Sequence, residues 1–287
     1  MLIDYHMHLQ PDGVGERAQQ ARRWDTHGGY LSRGWIGRYV ERARSRGVAE
    51  IAFTEHDYRF AALADLHPSP FWREEATADI DAYCAAIADA RDAGMPVLLG
   101  IEADWVPGRE DDLRAFLDAR PFDVVLGSVH WIGEVSVDNP SEPPIGPHAA
   151  EDVWNAYLDA LIDAAGSGLF DVLAHPDLPK VFGDRIPDAV RPRLDDLVDA
   201  VARAGIAVEC SSAGFRKPVG ELYPEPSLLA GFREAGVPVT LASDAHRPED
   251  VAEGFSTAVA ALRGAGYTHL TRFRGRVPEP TPIRSWA

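Results

Sequence analysis

Short apolar runs alternate with longer amphipathic stretches along the whole chain, and this alternation restricts the fold more than any other property. The strand candidates are 2–5, 50–53, 97–101, 124–128, 172–174, 207–209, 237–242 and, as an eighth, 269–273. Between them, 36–46, 76–93, 152–165, 187–204, 225–235 and 248–266 carry apolar residues at helical spacing. Several of these helical stretches stop at glycine just before the next strand, as at Arg46-Gly47-Val48 and Ala204-Gly205-Ile206. Repeated β–α units imply a parallel sheet with helical crossovers. A length of 287 residues suits one closed, TIM-like (β/α) barrel, with an open doubly wound sheet as the alternative. No linker divides the chain, so residues 1–287 are read as a single domain. The Pro-rich stretch 138–147 is read as a long loop after the fourth strand, and the tail 276–287 as an extended strap.

Charge then narrows the classes of function. The chain has 28 basic and 45 acidic residues, a formal net charge of −17. A nucleic-acid or anionic-membrane binder needs a basic face, so neither partner is expected. A small anionic substrate stays compatible, because a few arginines or a metal ion reverse the field locally. Cys84 and Cys210 lie in apolar patterns and read as small buried hydrophobes. The first residues show no basic segment followed by an apolar one, and no apolar run approaches membrane-spanning length, so a cytoplasmic location is expected. The oligomeric state is left open.

The histidines carry the chemistry. Six of the ten fall at or just after the C-terminal end of an expected strand: His6, His8, His56, His130, His175 and His246. Glu102 ends the third strand and Asp244 the seventh. A parallel barrel gathers all its strand C-termini into one ring, where barrel enzymes place their active sites. His6 and His8 share a face because side chains in a strand alternate with period two. One such histidine alone is more often a structural residue. Eight donors at successive strand ends exceed what one ion can use, and imidazole with carboxylate and no thiolate suits zinc, iron or manganese. Two or three divalent ions are therefore expected, with a carboxylate bridging. His67, His148 and His269 are read as structural, and His27 is ambiguous. Glu209 ends the sixth strand and points either toward the histidines or toward a helix. Trp105 and Trp131 are read as rim packing in preference to stacking on an imidazole.

These segments resemble the polymerase-and-histidinol-phosphatase (PHP) superfamily of metal-dependent phosphoesterases, most of all its histidinol-phosphatase branch. The pieces that carry the likeness are Asp4-Tyr5-His6-Met7-His8, Phe53-Thr54-Glu55-His56, Gly100-Ile101-Glu102-Ala103-Asp104, residues 122–130 ending in Gly127-Ser128-Val129-His130, residues 168–178 around His175-Pro176-Asp177, residues 212–218 around Phe215-Arg216-Lys217, and Ser243-Asp244-Ala245-His246-Arg247. The resemblance implies a distorted (β/α)7 barrel with a trinuclear metal centre. Carried over, it implies that His6, His8, Glu102 and Asp244 hold one metal. Glu102 would bridge to a second, held also by His130 and His175, and His56 and His246 would hold a third. Relatives complete the third site with a histidine eight residues after the first of the His-x-His pair; here that position is Val14. Asp12 or His27 is left to complete it.

The implied activity is phosphomonoester hydrolysis, with histidinol phosphate and water giving histidinol and phosphate by attack of a metal-bridging hydroxide. The implied catalytic residues are Glu102, Asp244, His246 and Arg216. Arg216 is expected to hold a phosphate oxygen, because guanidinium is a planar donor to phosphate. Lys217, Lys180 and Arg247 also lie in loops after strands and are further candidates for the phosphate. Acidic loop residues such as Glu134 and Asp138 are candidates for attracting a substrate amine. The alternatives are a PHP hydrolase of another phosphomonoester or a phosphodiester, a non-catalytic metal-binding barrel, and a barrel amidohydrolase. The last typically places a lysine at a mid-chain strand end, and neither Lys180 nor Lys217 lies there.

Overall fold

The computed structural model describes residues 1–11, 14–139 and 150–283. In chain order the strands are β1 (Leu2–Asp4), β2 (Val48–His56), β3 (Val97–Asp104), β4 (Val124–Ser128), β5 (Trp131–Ile132), β6 (Val135–Ser136), β7 (Val172–Leu173), β8 (Ala207–Ser211), β9 (Val239–Ala242), β10 (His269–Arg274) and β11 (Val277–Pro282). The helices are α1 (Val14–Asp25), α2 (Arg33–Ser45), α3 (Pro70–Glu75), α4 (Ile80–Asp92), α5 (Glu110–Asp118), α6 (Ala150–Gly166), α7 (Arg193–Ala204), α8 (Pro226–Glu234) and α9 (Phe255–Gly264).

Seven strands form one parallel sheet in the order β1-β2-β3-β4-β7-β8-β9. The sheet closes on itself, because Met7 bridges Ala245 in parallel and Tyr5 N donates to Leu241 O at 3.1 Å. The barrel reading therefore holds over the open-sheet alternative. The barrel strands are buried almost throughout, as expected when helices cover the outside and side chains fill the inside. The exception is the start of β2, where Ala49 is exposed. Gly127 in β4 shows how close the layers pack. A Cβ there would lie 2.3 Å from Phe170 Cγ, so no other residue fits without displacing that ring.

The eighth expected strand does not join the barrel. β10 pairs antiparallel with β11, and this hairpin sits against the N-terminal ends of the barrel strands. Arg272 and Arg274 pair with Glu50 of β2, and Arg276 Nε lies 3.0 Å from Asp171, just before β7. Part of the expected strap is thus a paired strand; residues 284–287 lie outside the described residues. The loop after β4 begins with the small hairpin β5–β6, a feature periodicity did not indicate, and residues 140–149, including His148, lie outside the described residues. α1, α3 and α5 were likewise not expected; α3 and α5 are only 6 and 9 residues long, so their periodicity is weak. Among the described residues, no helix is long and apolar enough to cross a membrane.

Candidate metal centre

The eight donors expected from strand ends meet at the C-terminal mouth of the barrel. Glu102, third from the end of β3, lies at the middle. Its Oε2 is 2.8 Å from His56 Nδ1, 3.1 Å from His6 Nε2 and 3.5 Å from His8 Nε2. Its Oε1 is 2.9 Å from His175 Nε2 and 3.5 Å from His130 Nε2. Asp244 Oδ1 lies 3.4 Å from His8 Nε2, 3.7 Å from His6 Nε2 and 3.5 Å from His246 Nδ1. The His8 ring stacks between His56 and His246, with centroids 4.1 and 4.3 Å away.

Four overlapping groups have ligand atoms within 4.8 Å of one another: His6–His8–Asp244, His6–Glu102–His175, His56–Glu102–His130 and His8–His56–His246. This is the clustering expected of two or three cations sharing ligands. It differs in one respect from the carried-over scheme, since His56 approaches Glu102 as closely as the other histidines do. Two ligand positions are strained: His175 has φ 22° and Asp244 φ 49°. Non-glycine residues persist in such conformations only where the surroundings enforce them, commonly at functional sites.

The donors fit a metal. His6 Nε2, His8 Nε2 and Glu102 Oε2 are buried and converge, yet none makes a hydrogen bond. Leaving such atoms unsatisfied is costly, and one cation would satisfy all three. The outer nitrogens are anchored. His6 Nδ1 lies 2.9 Å from Glu209 Oε2, and His130 Nδ1 lies 3.0 Å from Asp104 Oδ1. Because a carboxylate only accepts, each Nδ1 carries the proton and each Nε2 keeps its lone pair for the centre. Glu55 lies 3.8 Å from His8 Nδ1 and accepts from Leu9 N at 2.5 Å.

Electrostatics agree with this geometry. Burial disfavours charge on Glu102, but His6, His56 and His130 hold its carboxyl well below the usual range. Asp244 is likewise held low against its burial by His6, His8 and His246. Burial, then His56 and His246, pull His8 down to about 4, which leaves it neutral. Burial opposes a charge on His6, but Glu102, Glu209 and Asp244 together hold it well above its ordinary value. Without a cation, a proton on His6 therefore balances the carboxylates.

The remaining candidates separate. Arg216 reaches the site: its Nη2 donates to Ser243 O at 2.6 Å and Asp244 O at 2.9 Å. Lys217 is exposed at the rim, and Arg247 pairs with Asp250 at 3.1 Å. Lys180, expected as a phosphate ligand, is turned away from that role. It is 1% exposed, and its ammonium is spent on Asp177 at 2.7 Å, Glu221 at 2.9 Å and Leu222 O at 2.6 Å, so it has no donor left for a phosphate. Nor does His27 complete the site: it is exposed, its ring stands 5.9 Å from Trp35, and it belongs to none of the four donor groups. Asp12 lies outside the described residues. Trp131 packs into a rim cluster with Tyr58, His67 and Trp72, and Trp105 against Phe170, as the rim reading expects. Glu134 is exposed beside the β5–β6 turn, and Asp138 is half-buried and accepts from Ser136 Oγ at 2.8 Å. The strand-end histidine pattern by itself assigns no role to Asp104 or Glu55. The signal for Asp104 was there, since it lies two residues beyond Glu102 on the same face of β3.

The PHP domain family matches residues 27–213. A probable histidinol-phosphatase of Deinococcus radiodurans is 36% identical over 247 residues, covering 84% of this chain and 91% of that one. A histidinol-phosphatase of Lactococcus lactis is 24% identical, covering 83% and 88%. The crystal structure of histidinol phosphate phosphatase from Lactococcus lactis, complexed with zinc, L-histidinol and phosphate, superposes with a TM-score of 0.76 at 22% identity, covering 97% and 98%.

Proposed function

This chain belongs to the PHP domain family, and from that premise we propose that it is a metal-dependent phosphomonoesterase acting on histidinol phosphate. The observation that carries the reading is the position of Glu102. Its two oxygens face imidazoles arriving from β1, β2, β4 and β7, as a carboxylate shared between cations must. The class of substrate follows from the relatives, which are named for the hydrolysis of this phosphomonoester.

His6, His8, His56, Glu102, His130, His175, Asp244 and His246 would hold two or three divalent ions, with zinc, iron and manganese fitting the donor set. Such ions supply the Lewis acidity and the activated water that phosphate ester hydrolysis requires. The chain itself orients and screens. Asp104 and Glu209 fix the tautomers of His130 and His6. Arg216 holds the Ser243–Asp244 turn, and its other terminal nitrogen, Nη1, is buried without a hydrogen bond. We place a phosphoryl oxygen on that nitrogen, with Lys217 one residue further out on the rim. The aromatic cluster around Trp131 walls the mouth beside His56 and His130.

The test is phosphate release from histidinol phosphate set against a panel of other phosphomonoesters and a phosphodiester. Complementation of a histidine auxotroph that lacks this phosphatase is the parallel test. Selective release and rescue are expected. Failure to rescue by folded, metal-loaded protein would overturn histidinol phosphate as the substrate, and release from a different ester would name the replacement.

A further inference from the structure

Glu209 is fully buried in β8, and both of its oxygens are used. Oε2 accepts from His6 Nδ1 at 2.9 Å, and Oε1 accepts from the backbone N of His175 at 2.8 Å. These two partners lie 169 residues apart in the sequence, one just after β1 and the other just after β7. Both rings face Glu102, on different oxygens, but only His6 also joins His8 and Asp244 in a donor group. The His175 backbone has φ 22°, a conformation that a bulky residue does not hold by itself. The bond to Glu209 therefore anchors the residue whose ring must be aimed at Glu102.

We propose that Glu209 is a positioning residue shared by two metal positions, so that one carboxylate sets the tautomer of His6 and the backbone of His175 together. The inference rests on the metal-binding reading above. Its chemistry is specific to a carboxylate. Both partners donate, so both need an acceptor, and a carboxylate has two acceptor oxygens where an amide has one. With glutamine at 209, one of two bonds must fail. If the amide nitrogen faces His6, then Nδ1 must become the acceptor, and the proton moves to Nε2, where it blocks the lone pair meant for the metal. If the amide nitrogen faces His175, two N–H groups oppose each other and the strained backbone loses its anchor. Asp104 differs, because both of its contacts go to one residue, the N and Nδ1 of His130.

The experiment compares wild type, Glu209→Met, Glu209→Gln and Asp104→Asn as folded full-length chains. Zinc stoichiometry and affinity are measured by competition with a chromophoric chelator. Loss of one outer partner of a metal ligand costs about 10–100-fold in affinity. Glu209→Met removes both acceptors and should weaken two zinc equivalents by about that factor, whereas Glu209→Gln and Asp104→Asn each lose one partner and should weaken one. The Glu209→Asp variant keeps two acceptors but is one methylene too short to reach both partners, and it should lie between. Thermal unfolding of the zinc-free chains checks that all variants are folded. Two zinc equivalents bound by Glu209→Met with wild-type affinity would overturn the proposal, as would weakening of one equivalent only in that variant. If wild type itself binds no zinc, the metal reading falls instead, so the two failures are distinguishable.

Discussion

Asp104 holds His130 twice, accepting from its backbone N at 2.9 Å and facing its ring Nδ1 at 3.0 Å. One carboxylate thus sets the position of the residue and the tautomer of its ring. Burial opposes a charge on His130, but Asp104 and Glu102 hold its pKa well above the ordinary value. Asp104→Asn keeps the shape but replaces one acceptor oxygen with a donor. We expect a fall of about 10–100-fold in kcat/KM with little change in thermal unfolding of the metal-free protein. Steady-state phosphate release at saturating metal measures it.

Metal removal should destabilise the fold and should do so by mass action. An ion present at about 1,000 times its Kd contributes about 4 kcal/mol. Adding a strong chelator should lower the unfolding temperature, and zinc should restore it. The pH dependence has a definite sign. His6 is held well above its ordinary value, so in the metal-free protein it is protonated at neutral pH, and metal must displace that proton. Metal affinity should therefore weaken as the pH falls from 8 toward 5, which chelator competition at each pH would measure. Affinity independent of pH would contradict the assignment of His6.

Arg216 makes two bonds to the Ser243–Asp244 turn and has one buried nitrogen without a bond. Arg216→Ala should cut kcat/KM by about 10–100-fold, the loss of one charged hydrogen-bonding group. Inhibition by inorganic phosphate should weaken in parallel, both measured at saturating metal because Arg216 also holds the turn that carries Asp244. Unchanged kinetics would remove Arg216 from the site.

Far from the site, Glu50 joins the barrel to the β10–β11 hairpin by accepting from Tyr5, Arg272 and Arg274. Burial would raise its pKa, but the bonds from Arg274, Tyr5 and Arg272 hold it below its ordinary value of 4.5. A depressed carboxyl contributes stability that is present above the unfolded-state value and is lost as pH falls through the folded one. Glu50→Gln should cost about 1–3 kcal/mol at pH 7. The gap to wild type should shrink below pH 4.5, as urea unfolding of the metal-free chains would show. A gap that stays constant down to pH 3 would count against this pairing.

Much of the barrel and nearly all of the candidate ligands are legible without coordinates. Alternating strand and helix patterns imply a parallel barrel, and a parallel barrel gathers its strand ends. His6, Glu102 and Asp244 can therefore be assigned to one place although they lie as far as 238 residues apart. What sequence pattern cannot contain is the identity of each side chain's partner. Lys180 follows β7 much as Arg216 follows β8, yet one is folded inward onto Asp177 and Glu221 and the other reaches Asp244. Glu209 alternates in its strand like any residue, and only closure of the barrel brings His6 and His175 to its two oxygens. The segment 269–274 has the pattern of a barrel strand, but β1 and β9 already meet through the Met7–Ala245 bridge, and it pairs with β11 instead. Local periodicity determines which elements form and which ends carry the donors. The closure of the ring, a long-range event, decides which donors meet and which carboxylates stand behind them.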